Sequence, residues 1–456
     1  MMRQPYRKTQ RALAGGLALI AACNLAVPAF SQTAPVAPIA ADPSPEKLKA
    51  ATLIVRVYLD SVRDDIVDEH GQLSADNPIF KIPPYNNPVV ADRLPDWIRD
   101  GRHAGLAAFA DYRPQLEPLL ARALASHETL AELHAGEQFM IGLGGRYANR
   151  IFTHEYMLRT LGKTPPPPPT VVTKPGAPAN PNAKAAQEMM AAVQDRIHAP
   201  LPADEAAALA RLKSTPEGRR FLDDTLAVQV WLKDDATDVV GIVLPPSLIH
   251  LSQDLEASEA RRAAAAPAPA PAMALGVSTV HGLFAAIDDK AWDRFTSLTT
   301  DAAAKAASGA TAKKVIPDQD RWVRIAILSG FDLLRKDQGV IEQTIGRGLA
   351  RLFSIEDLQA MSDFANGPAP AYFVKATLAK LDGAKDAAPP PQEVTDSLQK
   401  FGQVNLSQHL TERYQKDQQQ VTAIGMDMVM PIVARWMRRL GEEIGAFEAE
   451  RVAARR

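Results

Sequence analysis

The densest run of groups that could hold a metal or move a proton is His127-Glu128-Thr129-Leu130-Ala131-Glu132-Leu133-His134-Ala135-Gly136-Glu137. A zinc hydrolase helix sets two imidazoles one turn apart, as His-Glu-x-x-His, so that both face one ion. Here Ala131 stands where the second histidine is needed. On one continuous helix His127, His134 and Glu137 would share a face, yet the two imidazoles would lie about 10 Å apart along the axis. The run reads first as a solvated polar helix face, so no metal site is expected. The alternative is that these three, with Glu128 beside them, are the ligands of an exported metal-dependent hydrolase.

Other constellations are weaker. Gly142-Leu143-Gly144-Gly145 before Arg146 has the glycine content of a phosphate loop, but no strand precedes it and no Lys-Ser/Thr follows. Ser329-Gly330 sits in an apolar helical run, where a nucleophile elbow would need a strand. Asp234, Asp235 and Asp238 lack the central glycine and terminal Glu of a calcium loop. Glu442 and Glu443 are expected to pair with Arg438 and Arg439 one turn away on the same helix. No cofactor is implied by any of these patterns. The formal charge of −2, from 51 basic and 53 acidic residues, lacks the excess expected of a nucleic-acid binder.

The strongest interaction signal is the last helix. Met428, Ile432, Trp436 and Leu440 repeat every four residues, with Pro431 interrupting the row. Methionine adapts to irregular partners, so this row is the candidate contact for another envelope protein or a second copy of the chain; the alternative is docking on the molecule's own core. Arg435, Arg438, Arg439, Arg451, Arg455 and Arg456 make this end basic, which suits anionic headgroups or simply a helix C-terminus.

The elements that position these groups begin with an address. Arg3, Arg7, Lys8 and Arg11 precede an apolar run from Ala12 to Phe30, and Ala29 and Ser31 fit a signal-peptidase site, so residues 1–31 read as a cleaved signal peptide with Gln32 as the new N-terminus. Ile20-Ala21-Ala22-Cys23 supports a rival reading, a lipid anchor on the single cysteine. Cleavage after Ser31 would take the formal charge from −2 to −6 and leave no transmembrane span in the mature chain. Either route implies a periplasmic, secreted or envelope-anchored bacterial protein.

Half of the 36 prolines fall in four stretches, 33–45, 164–182, 263–272 and 387–391, which read as stiff solvated spacers. Between them the pattern is helical. Ser44-Pro45-Glu46 opens a helix with apolar Val55, Leu59, Val62 and Ile66 at four-, three- and four-residue steps. Trp322, Ile325, Leu328, Phe331 and Leu334 repeat every three residues. The best strand candidate, Val239 to Leu244, stands alone, and a sheet needs partners. The chain is therefore expected to be all-α: a tether over 32–44, a helical module over 45–262 with a Pro-rich insertion at 164–185, an Ala/Pro linker over 263–272, and a second module over 273–456 with an insertion at 387–391.

One internal repeat appears at an offset of about 150 residues. Asp204 to Leu212 aligns with Glu356 to Phe364, Thr215-Pro216 with Gly367-Pro368, and Phe221 with Phe373. Each copy predicts an acidic-started helix, a short turn and a proline-started helix, with Thr215 as one cap and Ser354 with Asp357 as a capping box. Phe353, Ser354, Glu356, Leu358 and Phe364 in one copy, and Thr215-Pro216-Glu217-Gly218 with Phe221 in the other, resemble the signature of the secreted proteobacterial family called domain of unknown function 2059. Leu201-Pro202 and Pro370 depart from it. The resemblance implies a helical, exported fold, and it carries no assigned activity or catalytic residue. The expected function is that of a non-enzymatic binding or scaffold protein, with the metal-dependent hydrolase or a carrier of a small apolar ligand as alternatives.

Overall fold

The computed structural model describes residues 42–68, 87–160, 198–227, 236–307, 319–382 and 389–455. Residues 1–31, read above as a signal peptide, Cys23 among them, most of the stretch read as a tether, residues 164–185, Asp234 and Asp235 lie outside them. The protein is all-α: the regular elements among the described residues are helices throughout, and among those residues no single helix is long and apolar enough to cross a membrane.

The chain divides into two compact units, Met1–Val243 and Leu244–Arg456. In the first, the helices are α1 (Pro45–Asp68), α2 (Pro88–His127), α3 (Leu130–Ile141), α4 (Leu143–Arg146), α5 (Ala148–Thr160), α6 (Ala203–Lys213) and α7 (Pro216–Leu226). Helix α8 (Ala236–Ala265) begins in this unit and ends in the second, so the boundary falls inside a helix, upstream of the Ala/Pro stretch where the composition places it. The second unit continues with α9 (Ala270–Ala285), α10 (Asp289–Ala307), α11 (Gln319–Lys336), α12 (Gln338–Leu352), α13 (Ile355–Ala365), α14 (Pro368–Leu381), α15 (Gln392–Gly402), α16 (Leu406–Lys416) and α17 (Gln418–Arg455).

The core of the first unit is built on α1, whose Ile54, Val55 and Leu59 meet Phe109 and Leu124 of α2, Leu133 and Phe139 of α3, Ile151 and Phe152 of α5, and Phe221 and Leu222 of α7. The stretch Val239 to Leu244 is helical rather than extended. Val239, Ile242 and Val243, three and four residues apart, present one face to this core, whereas a lone strand would leave its backbone groups unpaired.

The proline reading needs amendment. Helix α8 runs on to Ala265 and α9 starts at Ala270, so the linker expected over 263–272 contracts to the break at 266–269, with Pro271 accommodated in the first turn of α9. Prolines also lie within helices: Pro95, Pro114 and Pro118 in α2, Pro245 and Pro246 in α8, and Pro431 in α17. Each forfeits one backbone bond, a loss that alanine-rich neighbours and tertiary packing offset.

Both repeat copies fold as helical hairpins with the expected starts. The Thr215 hydroxyl accepts from the Gly218 amide at 3.0 Å, and Ser354 and Asp357 form the full capping box at 3.1 and 3.4 Å. Gly218 has a steric reason as well: a Cβ there would lie 2.0 Å from the Leu212 carbonyl oxygen, because the second helix begins against the end of the first. Packing does not repeat with the turn, since Phe221 is fully buried while its counterpart Phe373 is 43% exposed.

In the second unit α9 and α12 run antiparallel along a seam of small residues, with Ala272 near Ala350, Gly276 against Gly346, and the His281 Nδ1 3.0 Å from Glu342. Helix α17 packs on both α11 and α12. In α11 the three-residue row reaches the surface at Leu328, which is 42% exposed, while Trp322, Ile325, Phe331 and Leu334 are half-buried and the buried leucine, Leu333, lies outside the row.

Candidate metal centre

The run from His127 to Glu137 is not one helix. Helix α2 ends at His127, and Glu128 (ψ 152°) and Thr129 (ψ 162°) are both extended, which turns the chain before α3 starts at Leu130. The turn has a local cause. Thr129-Leu130-Ala131-Glu132 is a capping box: the Glu132 amide donates to the Thr129 hydroxyl at 3.3 Å, and the Thr129 amide donates to the Glu132 carboxylate at 2.7 Å. The shared face expected for His127, His134 and Glu137 therefore does not form. His127 and His134 are exposed on different helices, and Glu137 is half-buried.

The corner brings different acids together. Glu128 is turned inward and is 1% exposed, Glu132 is 7% exposed, and half-buried Asp224 reaches them from α7. One carboxylate oxygen from each lies within 4.8 Å of the others. Neither oxygen of Glu128 meets a hydrogen-bond donor. Arg220 stands 4.0 Å from Glu132 and is largely solvated.

Environment separates the two glutamates. Burial, then the charges of Asp224 and Glu132 and a hydrogen bond from protonated Glu128 to the Glu132 carboxylate, push the Glu128 carboxyl up to about 8 against the lowering pull of Lys47 on α1. Burial would raise Glu132 too, but the hydroxyl and amide of Thr129 and the charge of Arg220 override it and hold that carboxyl below its ordinary value. The sign of the pH dependence follows. Between about pH 4.5 and 8 the folded protein keeps a proton on Glu128 that the unfolded chain releases, so stability falls as pH rises through that window. Glu132 acts in the opposite sense and lower down, its contribution disappearing as pH falls through the carboxylate range. In EDTA-containing buffer the calorimetric midpoint is expected to fall from pH 5 to 8, and Glu128→Gln to flatten that slope. A slope unchanged in the variant would contradict the assignment.

Elsewhere the flagged groups serve packing. Gly144 and Gly145 lie buried, where a Cβ would meet the Phe139 ring at 2.2 Å and the Met140 carbonyl at 1.8 Å, so this cluster is a close approach of helices and not a phosphate loop. Ser329 donates to the Ala326 carbonyl and accepts from the Trp436 indole at 3.1 Å. On α17, Met428 fills the notch above Gly348, Arg438 is 3.0 Å from Glu256 and Arg439 is 2.8 Å from Asp337. The pairing of Arg438 and Arg439 with Glu442 and Glu443 is thus replaced by bonds to other helices, and Arg435 and Arg451 hold Glu256 and Glu448. Met428, Ile432, Trp436 and Leu440 are all half-buried within the second unit. A groove of about 350 Å³ between α10 and α11 is lined by Asp293, Asp301, Arg324 and Arg335. Its Arg335 is bound to Asp289 and Asp293 at 2.7 and 3.0 Å.

Sequence reasoning named Glu128 as part of a broken zinc motif and missed Glu132 and Asp224. The Thr-x-x-Glu pattern at Thr129 carried the signal for the corner. Asp224 had none, because only the packing of α7 on α3 brings it near. No family model, no curated protein and no solved structure matches the chain, so no comparison supports assigning it to the domain of unknown function 2059 family.

Proposed function

We propose that the chain is an exported bacterial protein acting as a non-enzymatic binding or scaffold protein in the cell envelope. The observation that carries the exported part is the N-terminal arrangement: Arg3, Arg7, Lys8 and Arg11, the apolar run from Ala12 to Phe30, and the small residues Ala29 and Ser31. The scaffold part is supported by the use of charged groups within each unit. Arg150 with Glu205, Lys213 with Glu155, Arg351 with Asp427 and Arg439 with Asp337 tie helix to helix across the sequence. Such ties fix the surface that a scaffold offers, although each contributes modestly on its own.

The partner is an envelope protein or a second copy of the chain. Met428, Ile432, Trp436 and Leu440 are each half-buried within the second unit, so a partner of α17 would meet only the part of this row that stays exposed.

The test is expression with the native N-terminus in a Gram-negative host, followed by intact-mass analysis of the periplasmic fraction. The expected mass is that of a chain starting at Gln32. A chain starting at a diacylated Cys23 in the membrane fraction would replace soluble export by anchoring, and a cytoplasmic chain starting at Met1 would overturn the proposal.

A further inference from the structure

We propose that Glu128, Glu132 and Asp224 bind one calcium-sized divalent cation that ties the corner between α2 and α3 to α7. Three acids near one another are common on protein surfaces, and by themselves they signal nothing. What singles out this trio is Glu128, whose carboxylate is 1% exposed, has both oxygens without a donor, and has an oxygen within 4.8 Å of Glu132 and Asp224. Buried polar groups are nearly always satisfied, and an exception asks for a ligand or a shared proton. The protein's own cations do not serve. Arg220 stops 4.0 Å from Glu132, and Lys47 acts on Glu128 only through space.

The chemistry of the donors narrows the ligand. All three are carboxylates, which select hard cations over zinc or copper. Calcium takes about six to eight oxygens at about 2.3–2.6 Å in a flexible geometry, whereas magnesium demands a near-ideal octahedron at about 2.0–2.1 Å. Three oxygens within 4.8 Å of one another, supplied by three separate helix ends, suit the larger and less exacting ion. The elements suit a structural ion: Glu132 is pinned by the capping box, Glu128 by its place at the end of α2, and Asp224 comes from about ninety residues downstream. Asp224 is half-buried, which leaves a route for the ion. The ion would act as a crosslink, stabilising the folded state by mass action. This inference stands apart from the export reading, which the mass of the mature chain decides separately.

The test uses the full mature chain, stripped with EDTA and dialysed at pH 7.5. Calcium chloride is titrated by calorimetry, and thermal unfolding is followed by circular dichroism with and without the ion, with magnesium chloride as comparison. Expected are saturable binding of about one calcium per chain and, at a hundredfold excess over the dissociation constant, a rise in midpoint of about 5–10 °C. Glu128→Gln and Asp224→Asn should abolish both, while Glu137→Gln, which removes an acid outside the trio, should keep them. If either variant is unfolded by circular dichroism, the other and the wild-type stoichiometry decide. Absence of saturable binding by the wild type up to millimolar calcium, or its retention in folded Glu128→Gln and Asp224→Asn, would overturn the proposal.

Discussion

Gly276→Val is expected to destabilise the second unit by about 3 kcal/mol, the upper end of the usual cost of overpacking. A Cβ at Gly276 would sit 2.2 Å from the carbonyl oxygen of Gly346, and one at Gly346 would sit 2.6 Å from the Val277 amide nitrogen. Both obstacles are backbone, so no side-chain rotation relieves them and the two helices must separate. Separation would loosen the neighbouring contacts of the seam, Ala272 with Ala350 and His281 with Glu342. Even alanine should cost stability here, although it improves helix propensity by about 1 kcal/mol over glycine. Gly339 is the control. It lies in α12 with open space around it, so Gly339→Ala should stabilise by up to about 1 kcal/mol. Urea unfolding of the two alanine variants therefore has opposite expected signs, and equal signs would show that the seam is not held this closely.

Phe221→Ala is expected to cost about 3–5 kcal/mol, as for other fully buried aromatic side chains. The ring is 0% exposed and lies against Gly136, where a Cβ would meet it at 2.5 Å. Its removal would leave a cavity lined by the rigid faces of α3 and α7, which their capped ends keep from collapsing. The same deletion at the aligned position of the repeat, Phe373→Ala, should cost under about 1 kcal/mol, because that ring is 43% exposed. Denaturant midpoints for the pair measure how far the repeat extends beyond its turns. Equal losses would mean that both copies share a packing role.

That contrast also shows what was legible in the residues. Helix starts were readable because caps act within about four residues: Ser44-Pro45-Glu46, Thr215-Pro216 and Ser354 with Asp357 all begin helices where their chemistry says they should. The all-α class followed from periodicity and the want of partner strands. Prolines misled at 263–272, since alanine propensity carries α8 through Ala265 and Pro271 fits a first turn. The grouping of His127, His134 and Glu137 on one face failed for a related reason. A seven-residue spacing of histidines implies one face only on an unbroken helix, and the capping box at Thr129 breaks it. Asp224 and the Gly276–Gly346 crossing were beyond reach, because each depends on where a distant helix docks. Local pattern reports which face of a helix is apolar, and not which helix will cover it.

The carboxylate corner gives the first unit its clearest departure from self-satisfied packing, and diffraction can inspect it directly. Crystals of the protein grown with calcium chloride, collected at a long wavelength where calcium scatters anomalously, should show one peak per chain enclosed by Glu128, Glu132 and Asp224, with oxygens from all three bound to it. A difference map without a peak there, with the carboxyls of Glu128 and Glu132 drawn within hydrogen-bond distance, would instead mean that the two acids share a proton and that the corner holds no ion.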